Sequence, residues 1–220
     1  ALARRLGFPE VPAEWDEAPS FPIRAPAPYV EKMVPRDPND PLLRQIVPLH
    51  AERLDKPGWV DDPLGEFPAT RAPGLIQKYR GRALVVATGT CAVNCRYCFR
   101  RHFPYDQHRH DRSFPMLDRI ADDPAVTEVI LSGGDPLVMD DARLHALLTA
   151  ADAIAHVRRI RLHTRLPVVL PQRVNGPLLD TLAGLRAAPI VVSHFNHPNE
   201  LGEDTRAALA GLRDAGATLL

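Results

Sequence analysis

The chain has 220 residues, 45% of them apolar, which is enough for a sizeable core, and it contains no apolar run near the 18 residues that cross a bilayer as a helix. Lysine plus arginine equals aspartate plus glutamate at 27 each, so no global field draws the protein to nucleic acid or anionic lipid, although a local basic site stays open. The 3 cysteines are an odd number in one place, without a signal-peptide pattern; the expectation is reduced thiols in a cytoplasmic protein, not a disulfide framework.

Proline divides the chain. Residues 1–73 hold 14 of the 23 prolines, and segments such as Phe21-Pro22-Ile23-Arg24-Ala25-Pro26-Ala27-Pro28 cannot run as regular helix or central strand. This part reads as an extended, partly helical arm, with a short helix near Leu42 to Val47. Its apolar residues (Trp15, Tyr29, Leu43, Ile46 and others) indicate packing on a domain, and it shows no chemistry-bearing motif. From residue 74 to 220 the reading is one β/α domain. Strands are expected at Ala83–Thr88, Val126–Leu131, Arg159–His163, Ile190–Ser193 and from Thr218, and helices at Met116–Asp122, Ala142–Ala155, Pro177–Ala187 and Asp204–Gly216. Such alternation implies parallel β/α units. The helical faces agree: Leu144, Leu147, Leu148 and Ala151 share one, and Leu178, Leu179, Leu182 and Leu185 another.

In parallel barrels the chemistry sits where strands end. The first strand runs into Cys91-Ala-Val-Asn-Cys95-Arg-Tyr-Cys98, the second into Ser132-Gly133-Gly134-Asp135-Pro136, the third into His163-Thr164-Arg165, and the fourth into His194-Phe195-Asn196-His197. Three thiolates in one loop can hold three corners of a four-iron cluster and leave the fourth iron open. A structural zinc site is the competing reading, but it usually joins two separated ligand pairs, and only His102 is near as a fourth ligand. The glycine turn alone describes many ordinary turns. After a buried strand, its glycines allow close backbone approach, and Ser132 and Asp135 can accept from an ammonium.

The C-x3-C-x2-C spacing is that of radical S-adenosylmethionine (SAM) enzymes. With Gln77-Lys78-Tyr79-Arg80-Gly81-Arg82, CAVNCRYCFRRHFPY at 91–105, LSGGDPL at 131–137, HTRLPVVLPQR at 163–173 and HFNHPNE at 194–200, the chain resembles the lysine 2,3-aminomutase family over roughly residues 20–220. FPIRAPAPYVEKM, DPNDPLLRQIVP and DPLGE resemble the branch that makes (R)-β-lysine for elongation factor P. The resemblance implies a partial (β/α)6-type barrel of parallel strands, cut short at its C-terminal end, behind the N-terminal arm. It implies three cofactors: a [4Fe–4S] cluster on Cys91, Cys95 and Cys98, SAM, and pyridoxal 5′-phosphate (PLP).

Residue roles follow from the same resemblance. Arg100 would pair with the carboxylate of the substrate lysine, a task suited to a planar guanidinium. Ser132, Gly133, Gly134 and Asp135 would receive the SAM amino group, His194 would lie near the SAM ribose, and Tyr97 would border the adenosine. Lys78, Tyr79 and Arg82 would hold the PLP phosphate, with Lys78 where the family often has arginine. Arg165 belongs to the site without a defined role, and His163 stands where free-lysine aminomutases often carry glycine. In the family, the lysine that bonds PLP and the aspartates that hold the substrate's ε-ammonium come after the position where this chain ends; the expectation is therefore a portion of a longer protein.

The implied reaction is a radical 1,2-shift that turns (S)-α-lysine into (R)-β-lysine, supplied by a one-electron reductant and followed by a ligase that attaches the product to elongation factor P. A free-lysine 2,3-aminomutase of catabolism or osmolyte synthesis shares every motif and remains an alternative. A more remote one is an RNA-binding metal module, from the bases and aromatics of residues 96–103; zero net charge speaks against it, and no direct nucleic acid contact or membrane contact is expected. A homo-oligomer is left open.

Overall fold

Apolar runs separated by helical segments pair into one seven-stranded sheet with the order β1 to β7 in sequence order. The computed structural model describes residues 1–108 and 113–220. The strands are β1 (Thr70–Ala72), β2 (Leu75–Tyr79), β3 (Arg82–Thr88), β4 (Glu128–Gly133), β5 (Arg159–Thr164), β6 (Ala188–Ser193) and β7 (Thr218–Leu219). From β3 to β7 every pairing is parallel, while β1–β2 and β2–β3 are antiparallel. The sheet is open, with β1 and β7 at its edges, which is consistent with the expected partial barrel of parallel strands.

The antiparallel pair β1–β2 was absent from the sequence reading. Pro73-Gly74 looks like loop, and Gln77 to Arg82 is too polar to show a period of two. The helices expected from the sequence end one to four residues earlier in the structure. Among the described residues they are α1 (Leu2–Arg5), α2 (Ala27–Val30), α3 (Met116–Ala121), α4 (Asp141–Asp152), α5 (Leu166–Val169), α6 (Gly176–Ala183) and α7 (Glu203–Asp214). Asp140 and Asn175 cap α4 and α6 by accepting from Arg143 N and Leu178 N. Gly184 ends α6, so Leu185 packs on the core from outside the helix. The expected short helix near Leu42 is a single 3₁₀ turn, Leu43–Gln45.

Alternation along the strands sends Ala83, Val85, Ala87, Val129, Leu131, Ile160, Leu162 and Val191 to the helix layer. There they meet Leu144, Leu147 and Leu148 of α4, Leu178 and Leu182 of α6 and Leu212 of α7. Each Val, Leu or Ile among them contributes about 1.5–3 kcal/mol on full burial. The other face mixes polar and apolar side chains. Its register places Arg82 beside Glu128 beside Arg159, Leu84 beside Ile130 beside Arg161, and Val86 beside Ser132. Glu128, with a side chain only 4% exposed, accepts from Arg159 Nε at 3.0 Å and Arg161 Nε at 2.8 Å. This carboxylate and its two arginines lie on the inner face at the N-terminal ends of the strands.

The arm has its own core. Trp15, Tyr29, Leu42, Leu43, Ile46 and Val47 pack together with Val93 of the cysteine loop and Val169 of α5. Arm and strand-end loops therefore share one apolar cluster.

Candidate active site

The cysteine loop is held by β4 through backbone contacts that only glycine permits. The β3–β4 register shifts between Val86 and Thr88, bringing Thr88 opposite Gly133. Gly133 has φ +111, and a Cβ there would lie 2.7 Å from Thr88 O; one on Gly134 would lie 2.2 Å from Thr90 O. In this space Gly134 N donates to Thr88 O at 2.6 Å and Asp135 N to Thr90 O at 2.9 Å. The glycines thus fuse the turn to the residue preceding Cys91. Ser132 and Asp135, offered by the sequence as acceptors for a ligand ammonium, are engaged within the protein. Ser132 Oγ accepts from Arg100, and the Asp135 carboxylate accepts from Leu137 N at 3.0 Å, Thr164 Oγ1 at 2.7 Å and Arg165 N at 2.6 Å. Complete burial pushes Asp135 up to about 6 against the pull of those donors.

The arm grips the same loop from the other side, which the sequence reading missed. Arg24 Nη1 donates to Cys91 O at 3.1 Å, Asn94 N to Arg24 O at 2.9 Å, Asn94 Nδ2 to Pro22 O at 2.8 Å and Arg96 N to Gln45 O at 2.8 Å. Glu52 takes Arg96 Nε at 2.7 Å and Arg101 Nη1 at 3.2 Å. Burial, with the Asp135 carboxylate next in effect, pushes the Cys91 thiol up to about 12, and burial raises Cys98; the other thiols of the loop add smaller contributions. Three soft sulfur donors on one rigid loop fit an iron–sulfur cluster. Among the described residues no three His, Cys, Asp or Glu side chains converge on a single ion, whereas a cluster takes its thiolates on separate irons and needs a wider triangle.

Arg165, at the end of β5, joins these parts. Its guanidinium donates through Nη1 to Cys95 Sγ at 2.9 Å and through Nη2 to Tyr29 OH at 3.0 Å, Glu200 Oε2 at 3.2 Å and Gln45 Oε1. Gln45 Nε2 in turn donates to Glu200 Oε1 at 2.8 Å. Burial opposes the charge on Arg165, but Cys95, Tyr29, Tyr97 and Glu200 outweigh it and raise its pKa. Tyr97 borders this group, accepting from Asn196 Nδ2 and donating to Gln45 Oε1 at 3.4 Å.

Arg100 is buried and already holds a carboxylate of the arm. Its Nε and Nη2 each donate to Glu66 at 2.7 Å, and Nη1 donates to Ser132 Oγ at 2.8 Å. Of five guanidinium N–H donors two remain, one of them in a long 3.4 Å contact with Gly133 O. Beside it on the strand ends, the rings of His163 and His194 lie 5.8 Å apart. His163 Nε2 and Ser193 Oγ are buried without a partner among the described residues, leaving polar atoms to receive a ligand. Burial, with His194 next in effect, lowers His163 to about 4, so its imidazole is neutral.

Lys78, Tyr79 and Arg82 stand elsewhere, the first two at the C-terminal end of β2 and Arg82 at the N-terminal end of β3. Six residue steps along that strand, roughly 20 Å, separate Arg82 from Thr88 at the start of the cysteine loop. All three are exposed; Arg82 lies 5.4 Å from the Tyr79 ring, and Lys78 Nζ donates to Leu64 O. The exposed cations Lys78 and Arg82 have the charge that suits a phosphate. A cleft of about 350 Å³ on the arm, lined by residues including Asp16, Glu52 and Arg53, contains none of the residues predicted from sequence.

The cysteine loop, the glycine turn and the β/α strands around them match the model of the radical SAM superfamily over residues 85–211. The chain belongs to the radical SAM superfamily. It is 44% identical over 202 residues to L-lysine 2,3-aminomutase of Escherichia coli (strain K12), covering 91% of this chain and 59% of that protein. Identity to the L-lysine 2,3-aminomutase of Haemophilus influenzae is 42% over 223 residues, covering 100% and 66%, and to that of Clostridium subterminale 37% over 198 residues, covering 87% and 46%. These relatives make this radical SAM chain a member of the lysine 2,3-aminomutase family, and it spans less than two thirds of their length. Family membership implies a [4Fe–4S] cluster, SAM and PLP. No helix among the described residues is long and apolar enough to cross a membrane.

Proposed function

We propose that the full-length protein is an isomerase, a radical SAM aminomutase that converts (S)-α-lysine into (R)-β-lysine for attachment to elongation factor P. The observation that carries the reading is the convergence on one strand-end face of three thiols, the Gly-Gly-Asp turn and Arg100, in a chain 44% identical to an L-lysine 2,3-aminomutase. When bound, the cluster and SAM supply a carbon radical, and PLP supplies a π-system for the migrating nitrogen.

The protein's own part is placement. Cys91, Cys95 and Cys98 hold the cluster. The turn Ser132 to Asp135 offers backbone groups to the SAM amino group, since its two polar side chains are occupied. Tyr97 and His194 flank the nucleoside. Arg100, fixed by Glu66 and Ser132, presents its remaining N–H donors to the substrate carboxylate. Lys78, Tyr79 and Arg82 would hold the PLP phosphate.

The test has two arms. Anaerobically reconstituted full-length protein, given lysine, SAM, PLP and a one-electron reductant, should form β-lysine, detected by chromatography and mass spectrometry. In cells lacking the gene, elongation factor P should lose its lysine modification. An intact modification with loss of free β-lysine alone would assign the enzyme to free lysine.

A further inference from the structure

We propose that Arg165 sets the reduction potential of the cluster through its N–H···S contact with Cys95, raising it above the value the thiolates alone would give. This rests on the reading of Cys91, Cys95 and Cys98 as cluster ligands.

The geometry is directed at the sulfur. Nη1 lies 2.9 Å from Cys95 Sγ, while the groups that orient the guanidinium, Tyr29 OH, Gln45 Oε1 and Glu200 Oε2, all meet Nη2. The tyrosine rings of residues 29 and 97 lie 5.2 Å and 5.9 Å from the guanidinium carbon. Arg165 is 5% exposed and Glu200 0%, so water screens neither charge. One-electron reduction, by an external low-potential donor, adds one negative charge to the cluster and exchanges no proton or bond. A cation in hydrogen-bond contact with a ligating sulfur favours the more negative, reduced state. Glu200 opposes this from the far side of the guanidinium and leaves the nearer positive edge dominant. Arg165 therefore acts as a positioning and tuning residue, and the arm, through Tyr29 and Gln45, fixes its aim.

The experiment is a redox titration of the reconstituted full-length protein without SAM, followed by electron paramagnetic resonance. The protein would be compared with Arg165→Lys and Arg165→Gln, with iron and sulfide counted in each. Arg165→Gln should shift the reduction equilibrium about tenfold or more toward the oxidised cluster, about 59 mV more negative for one electron. Arg165→Lys keeps the charge and should shift less than half as far. An unchanged potential in Arg165→Gln at full cluster content overturns the proposal, as does a lysine variant that moves as far as the glutamine one. Should Arg165→Gln not assemble a cluster, Glu200→Gln decides. Removing the carboxylate at 3.2 Å must move the potential to less negative values, and no movement, or the opposite, overturns the proposal. Failure of the parent protein to assemble an iron–sulfur cluster would instead defeat the reading of the three cysteines.

Discussion

The Arg100–Glu66 pair permits a quantitative test. Its side chains are 6% and 7% exposed and meet in two bonds of 2.7 Å each. At the surface such a pair would contribute about 0–1 kcal/mol; buried, loss of one partner strands the other charge and costs about 3–5 kcal/mol. Glu66→Leu leaves Arg100 its bond to Ser132 Oγ and belongs at the lower end, about 3 kcal/mol. Arg100→Met strands a buried carboxylate and belongs near the upper end, about 4–5 kcal/mol. The double variant removes both charges, and a coupling of about 2–3 kcal/mol should hold its cost to about 4–6 kcal/mol, below the roughly 7–8 kcal/mol that the single costs would give if they added. Urea unfolding of full-length variants without cofactors, followed by circular dichroism and extrapolated linearly, measures each corner of the cycle. Single variants within about 1 kcal/mol of the parent, or costs that add in the double variant, would refute the buried-pair argument.

Cys91→Ala, Cys95→Ala and Cys98→Ala should each abolish cluster-bound iron and SAM cleavage and leave the circular dichroism spectrum of the barrel unchanged; iron and sulfide analysis after anaerobic reconstitution checks this. Gly134→Ala puts a methyl 2.2 Å from Thr90 O, so the turn must part from the cysteine loop, with an expected cost of about 2–4 kcal/mol in unfolding and lower iron content. His163, lowered to about 4, binds fewer protons in the native state than in the unfolded one between about pH 4 and 6.5. Its contribution to stability is complete above about pH 6.5 and declines as pH falls toward 4, and unfolding of His163→Gln across that window should show a shallower slope. Arg82→Ala should weaken PLP binding about tenfold, read by absorbance titration, and an unchanged affinity would return Arg82 to the solvated surface.

The parallel half of the sheet was legible because its strands are buried on the helix side and rich in Val, Ile and Leu, and because the leucines of α4 and α6 repeat at helical spacing. The cysteine loop was legible from spacing alone. The arm's share was not. Glu66, Gln45, Glu52 and Tyr29 have no local signature; they matter because of residues far along the chain that they meet, and a sequence carries no sign of such pairings. The reason for Gly133 and Gly134 was legible only in part. Backbone closeness was foreseen, but its partner in the structure is the Thr88–Thr90 backbone. α5 escaped notice because Leu166 to Val169, buried throughout and beginning with Leu-Pro, has too few residues to show a period.

The arm's grip on the cysteine loop has a kinetic consequence. Arg24 and Cys91 are 67 residues apart, Tyr29 and Arg165 136, and Gln45 and Glu200 155. Loop closure of that length makes such contacts slow to form, later than the neighbouring β/α units. During synthesis the three thiols therefore emerge before Arg165 and Glu200 exist to order their surroundings. In that interval they are open to oxidants and stray metals, so the yield of intact protein should depend more on the redox conditions of folding than on the stability of the finished fold.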